Sequence, residues 1–219
     1  MTPTWRINEE LELNKDNLIA LLNNDIPAIR IKNFATSEEC SSFSGAVERA
    51  GLKYYSVKKK IGYIGMAQYE YRWGRPKDDY FSDVQEANKR QRVVFSESFD
   101  VIQRLIDMVT PHTEAGIGVA HEGEREYYAG IIRQASEGVD LHADFAPFNS
   151  PTYSIKDISA QLGWNYYAEE LVEGGVTTVY NAPWSPVMDS DEPPQSYNLP
   201  RDVVAGADTI SFTPDAGDV

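Results

Sequence analysis

Gly138-Val139-Asp140-Leu141-His142-Ala143-Asp144-Phe145-Ala146-Pro147-Phe148 is the stretch whose reading decides this chain. As a strand it sets His142 and Asp144 on one face, because side chains along a strand alternate with period two. Imidazole and carboxylate then stand roughly 6 to 7 Å apart at the backbone, from a rise of ~3.3 Å per residue. That spacing lets them share a metal ion. Two histidines and one carboxylate form the facial set that leaves positions open on Fe(II), and His-x-Asp supplies two of the three. The same spacing also fits a hydrogen-bonded surface pair, so the motif needs support from the rest of the chain.

Upstream, residues 127–134 (Tyr-Tyr-Ala-Gly-Ile-Ile-Arg-Gln) are rich in β-formers, and 135–138 turn the chain into the His-x-Asp strand. Downstream, 161–168 (Gln-Leu-Gly-Trp-Asn-Tyr-Tyr-Ala) reads as a further strand. Gln161, Gly163, Asn165 and Tyr167 share a polar face there, and Leu162, Trp164 and Tyr166 an aromatic one. Glu173-Gly174-Gly175 is a turn, 176–180 a strand, and 209–212 another. Between them 181–201 holds five prolines and several acids without periodicity, the composition of a long functional loop.

The first half of the chain is helical in pattern. Residues 11–23 carry five leucines at amphipathic spacing, and 26–34 alternate like a strand with one buried face. Thr36-Ser37-Glu38-Glu39-Cys40 starts a helix, with a hydroxyl cap and acids where the helix dipole favours them, and this helix stops at Gly51. Residues 53–73 are rich in tyrosine and carry Lys58-Lys59-Lys60, which fits a solvated loop or edge-strand guard. Residues 81–112 read as one or two helices in which Val101, Ile102, Leu105, Ile106 and Val109 form a core-packing stripe. Helices followed by short strands predict an α+β chain with N-terminal flanking helices and a jelly-roll core.

Length and composition narrow the function. The 219 residues fit a single domain, and 42% hydrophobic with 25% charged residues is ordinary globular usage. A formal net charge of −14 disfavours nucleic acid and anionic membrane surfaces as partners, since both need clustered Lys and Arg. The one cysteine, Cys40, leaves no intrachain disulfide and no cysteine-based zinc cluster. The start of the chain lacks the pattern of a signal peptide, and no apolar run approaches the ~18 residues of a membrane span. These features predict a soluble cytoplasmic protein acting on a small molecule.

At this point the chain resembles the Fe(II)/2-oxoglutarate-dependent oxygenase superfamily, in its prolyl-hydroxylase-like and small-molecule hydroxylase and halogenase branches. Four pieces carry the likeness in the family's order: Ile26 to Phe34 with Thr36 to Cys40; Ile131-Ile132-Arg133-Gln134 through His142-Ala143-Asp144; Asn165 to Ala168 with Glu173-Gly174-Gly175 and Thr177; and Thr213-Pro214 with Ala216-Gly217-Asp218. The resemblance implies a double-stranded β-helix, Fe(II) held by His142 and Asp144, and 2-oxoglutarate as co-substrate. It places Asn165, Tyr167, Gln134 and Arg133 beside that co-substrate; internal barrel hydrogen bonds are the other reading of these four. Halogenases of this kind have Ala or Gly at the carboxylate position, so Asp144 implies hydroxylation or another oxidation of an amino-acid or natural-product substrate.

The sequence departs from the pattern at one point. The family's second histidine follows the Gly-Asp segment and precedes an Arg or Lys that pairs with the co-substrate's far carboxylate. Only His112, His121 and His142 occur here. His112 follows a helix end and His121 lies in a polar loop by composition; Asp215 and Asp218 fit turn roles. The expectation is a C-terminally incomplete barrel lacking its last strands. A non-catalytic jelly-roll binding protein that has lost the metal site is the alternative, and a cupin-type isomerase a more distant one.

Overall fold

The helix opening at Thr36 forms as its sequence dictates. In a computed structural model of the chain, describing residues 3–56, 60–72, 74–135, 138–170, 175–188 and 198–219, Thr36 accepts from Glu39 N at 3.2 Å while Glu39 Oε2 accepts from Thr36 N at 2.9 Å. This reciprocal capping box satisfies two backbone donors that the first helical turn leaves unpaired.

In chain order the elements are β1 (Glu10–Leu11), α1 (Lys15–Leu22), β2 (Ala28–Ile29), α2 (Ser37–Ala50), β3 (Lys53–Tyr54), β4 (Ile61–Ile64), α3 (Lys77–Ser96) and α4 (Val101–Val109). They continue with β5 (His121–Glu122), β6 (Arg125–Glu126), β7 (Ile132–Ala135), α5 (Ala146–Asn149), β8 (Thr177–Tyr180) and β9 (Thr209–Phe212). Four small sheets result among the described residues: β1 with β2 in parallel, antiparallel β3-β4-β7, and the antiparallel pairs β5-β6 and β8-β9. The α+β character holds, and the described strands do not close a barrel.

Several expectations change in detail. The 11–23 helix begins only at Lys15, because Leu11 pairs with Ile29 instead. His121, expected in a loop, opens the β5-β6 hairpin opposite Glu126. The segment 161–168 is extended without forming a ladder strand, although Tyr167 exchanges backbone bonds with Gly217 and Asp218 at 2.8 and 3.0 Å. Lys58, Lys59, Trp73, Glu173 and Gly174 lie outside the described residues.

One core gathers Phe34, Cys40, Phe43, Ala46, Ile64, Val94 and Val101, with Tyr166 and Val219 packed against it. Tyr166 meets Phe34, Phe43 and Phe99 with ring centroids 5.6, 5.4 and 5.7 Å away, and its hydroxyl donates to Cys40 Sγ at 3.3 Å. Burial, together with the cysteine beside it, pushes the phenol's pKa up. A second core is largely phenolic: Tyr71, Tyr80, Phe81, Tyr127 and Tyr153 interlock around Met66 and Val84. The α4 stripe divides. Val101 is buried and Leu105 packs against the core as expected, whereas Ile102, Ile106 and Val109, with the other side of Leu105, border an open groove.

Two ionic clusters join distant parts. Arg104 makes a bidentate pair with Glu39, at 2.6 and 2.9 Å, and also donates to Phe34 O. The Arg104 guanidinium, then the Thr36 N–H, holds the Glu39 carboxyl down at about 2. Arg30 reaches Asp218, Asp215 and Glu10 at 2.7, 2.7 and 3.1 Å. Asp218 also accepts from Asn33 N at 2.9 Å, fixing a left-handed turn residue with φ of 56°. Gly217 closes this junction at φ of 92°, and a Cβ there would lie 2.5 Å from Ala35 O. Glu122 binds Lys77, Tyr127 Oη and Ser154 N; burial alone would raise its pKa, but these donors outweigh burial and hold it at about 2.

Two predictions follow from these contacts. Gly217→Ala should destabilise the fold by about 2 kcal/mol or more, from a disfavoured backbone region plus contact with a carbonyl that cannot yield; a denaturant midpoint unchanged from the parent would contradict this. Glu39 and Glu122 titrate below an unfolded carboxyl near 4.3, so their stabilisation is complete above that pH and fades as pH falls toward 2. Melting temperature should drop steeply across that window, and less steeply in Glu39→Gln, which keeps the capping box and loses the ion pair.

Candidate functional site

The His-x-Asp stretch is an extended loop that runs into α5, not a ladder strand. Pro147 in the first turn of α5 explains where the helix starts, since proline fits an early helical position and forbids a later one. The expected proximity of the two side chains is present without the strand. His142 Nε2 lies 3.8 Å from Asp144 Oδ2, and the two side chains are 36% and 52% exposed, so neither is committed to a core. His142 Nδ1 stands 2.7 Å from the Asp140 carbonyl. With a proton on Nδ1 that contact fixes the ring and turns Nε2 toward Asp144, as a backbone carbonyl commonly does behind a metal-binding imidazole.

This pair fits two of the three positions of a facial iron site. Among the described residues no group of three or more His, Cys, Asp or Glu side chains converges as a metal cluster. His121 instead approaches Glu126 at 4.0 Å, and His112 ends a short turn after α4. Asp215 and Asp218 are held by Arg30.

Neighbouring segments fix the loop on both sides. Leu199 N donates to Leu141 O at 2.7 Å, and Trp184 stacks on Phe148 with centroids 3.5 Å apart and planes 8° from parallel. The proline-rich segment is thereby tied at both described ends to the residues flanking His142 and Asp144. On the other side, Ala146 N donates to Gln161 Oε1 at 2.7 Å. Sequence reasoning missed these three anchors. Only the aromatic character of Phe148 and Trp184 hinted at one of them, since backbone bonds carry no sequence signature.

The other four candidates are distributed over two segments, β7 and 161–168. Arg133 and Gln134 sit on β7 opposite Tyr63 and Gly62 of β4. Ile132 packs on the main core, so alternation places Gln134 on that same side and Arg133 on the opposite one, near Tyr55 and Glu70. Burial raises the Tyr55 phenol to about 12 and also raises Glu70. Tyr55 and Tyr63 stack at 4.2 Å. Asn165 is exposed, and Tyr167 Oη lies 3.4 Å from Thr177 Oγ1.

With this geometry in place, comparison with known proteins assigns the class. The chain belongs to the family described as carrier-protein-independent halogenase WelO5, within the Fe(II)/2-oxoglutarate-dependent oxygenase superfamily: the family's sequence profile matches residues 7–219. It is 33% identical over 174 residues to leucinostatins biosynthesis cluster protein S of Purpureocillium lilacinum, covering 76% of this chain and 70% of that protein. It is 26% identical over 143 residues to L-gamma-glutamyl-L-propargylglycine hydroxylase of Streptantibioticus cattleyicolor, covering 64% of this chain and 52% of that enzyme. No solved structure matches the chain. Among the described residues no helix is long and apolar enough to cross a membrane.

If His142 and Asp144 serve a ligand and not the fold, removing them should leave stability intact. His142→Ala and Asp144→Ala should each melt within about 2 °C of the parent, as expected for half-exposed side chains outside a packed core. A drop several times larger in either variant would mark the pair as structural.

Proposed function

We propose that the protein is an Fe(II)- and 2-oxoglutarate-dependent oxygenase that hydroxylates a free small molecule, with its small sheets contributing to a jelly-roll core. The observation that carries this reading is the 3.8 Å approach of His142 Nε2 to Asp144 Oδ2, beside an imidazole oriented by the Asp140 carbonyl. A carboxylate at position 144 occupies the place that a halide takes in halogenases of this kind, so the reading favours oxygen transfer within a family named for halogenation. A relative named as a hydroxylase of a small amino-acid derivative supports the same choice.

In this mechanism His142 and Asp144 would hold the iron, which together with 2-oxoglutarate supplies the oxidising chemistry. This chain's own residues do the rest. Asp140 keeps the His142 ring in one tautomer and orientation through its carbonyl. The Phe148–Trp184 stack and the Leu141–Leu199 backbone bond limit the motion of the loop between them, holding both ligands in register. Arg133 offers a guanidinium for a carboxylate of the co-substrate, with Gln134 on the opposite face of β7 as the alternative, and Asn165 and Tyr167 are further proposed contacts. Tyr167 is the best fixed of these, because its backbone is bonded to Gly217 and Asp218.

The test begins without any substrate. Under anaerobic conditions Fe(II) and 2-oxoglutarate together should give the weak visible charge-transfer band of a bidentate chelate, and in air the protein should form succinate in an iron-dependent reaction. His142→Ala should abolish both signals, and Arg133→Met should raise the 2-oxoglutarate concentration needed for half-saturation by about tenfold, in line with loss of one charged contact. Absence of both signals in the parent protein would favour the other reading, a binding protein that retains His142 and Asp144 as a polar pair.

A further inference from the structure

We propose that the groove beneath α4 is the seat of a neutral, mainly apolar small molecule, and that this molecule is the substrate presented to His142 and Asp144. The inference rests on the oxygenase reading and adds to it the chemical class and the location of what is bound.

The groove encloses about 540 Å³, inside the range of roughly 300 to 1,000 Å³ that small-molecule sites occupy. One wall is Ile102, Leu105, Ile106 and Val109 of α4, and the facing wall carries Leu162 and Trp164. Leu162 and Trp164 remain 39% and 38% exposed. The α4 residues are only partly covered: Leu105 also packs on the main core, and the remaining apolar surface of the stripe forms the groove wall.

Charge narrows the occupant. Although charged residues make up 25% of the sequence, no charged side chain among the described residues lines this groove. A cation or anion seated here would lose hydration without gaining a counter-ion. The polar side chains of the lining are all neutral: the amides of Gln68 and Gln161 and the phenols of Tyr80, Tyr127 and Tyr128.

Position narrows the role. Gln161 forms part of the groove and also accepts from Ala146 N at 2.7 Å. Ala146 is two residues beyond Asp144, so this end of the groove abuts the loop that carries the proposed metal ligands. A molecule whose apolar body lies along α4 would project its end toward that loop.

Binding of N-phenylnaphthylamine, a neutral apolar fluorophore, to the full chain without iron or 2-oxoglutarate tests the proposal apart from any activity. The parent protein should bind it saturably at one site. Ile106→Glu and Leu162→Asp should each weaken binding at least about tenfold by placing a charge in the groove, while Val93→Glu, at a 49% exposed apolar position on α3, should not. Leu162 lies in an exposed segment, so its variant keeps the test decisive if Ile106→Glu fails to fold. Non-saturable binding, or equal binding by the groove variants and the parent, would overturn the proposal. The fluorophore result and the charge-transfer band are independent: loss of the band with specific groove binding removes the oxygenase reading alone, and the reverse removes the groove.

Discussion

Tyr166 packing edge-on to Phe43, with Phe34 and Phe99 around it, is the contact on which the rest of the arrangement depends. It draws the extended 161–168 segment onto α2 and the turn before α4. Offset and edge-on aromatic contacts of this kind add about 0.5–1.5 kcal/mol per pair beyond the area they bury. Their geometric effect matters more here. Once Tyr166 is inside, alternation turns Tyr167 outward to Thr177 and pairs its backbone with Gly217 and Asp218. The same alternation lets Leu162 and Trp164 face α4 across the groove.

The charged contacts act as fasteners on that packing. Arg104 locks α4 to the capped start of α2 through Glu39, and Arg30 gathers acids from both ends of the chain. Arg30 is mostly buried, so its three carboxylate partners are needed to compensate for lost hydration. Asp218 cannot then serve as a spare metal ligand, because both of its oxygens are already engaged.

Held on this frame, the His142 and Asp144 loop combines exposure with restraint. The two side chains are half-exposed, yet Phe148 and Leu141 are tied to the proline-rich segment and Ala146 to Gln161. A loop fastened at three points presents its side chains in nearly one arrangement, which lowers the cost of ordering them around whatever they bind.

The sequence by itself determined the elements whose signals are local. The capped helix from Thr36 to Gly51, helical structure over 81–112, and the strands at 177–180 and 209–212 were legible, because caps, apolar spacing and β-branched runs act over a few residues; the start at Lys77 and the break between α3 and α4 were not. The proximity of His142 to Asp144 was legible because only one residue separates them. The tertiary structure alone decided that the His-x-Asp stretch is a loop and that part of the α4 stripe borders a groove. Those outcomes depend on which distant segment competes for each backbone and side chain. Such competition is settled by packing between residues far apart in the chain, where local pattern carries no information.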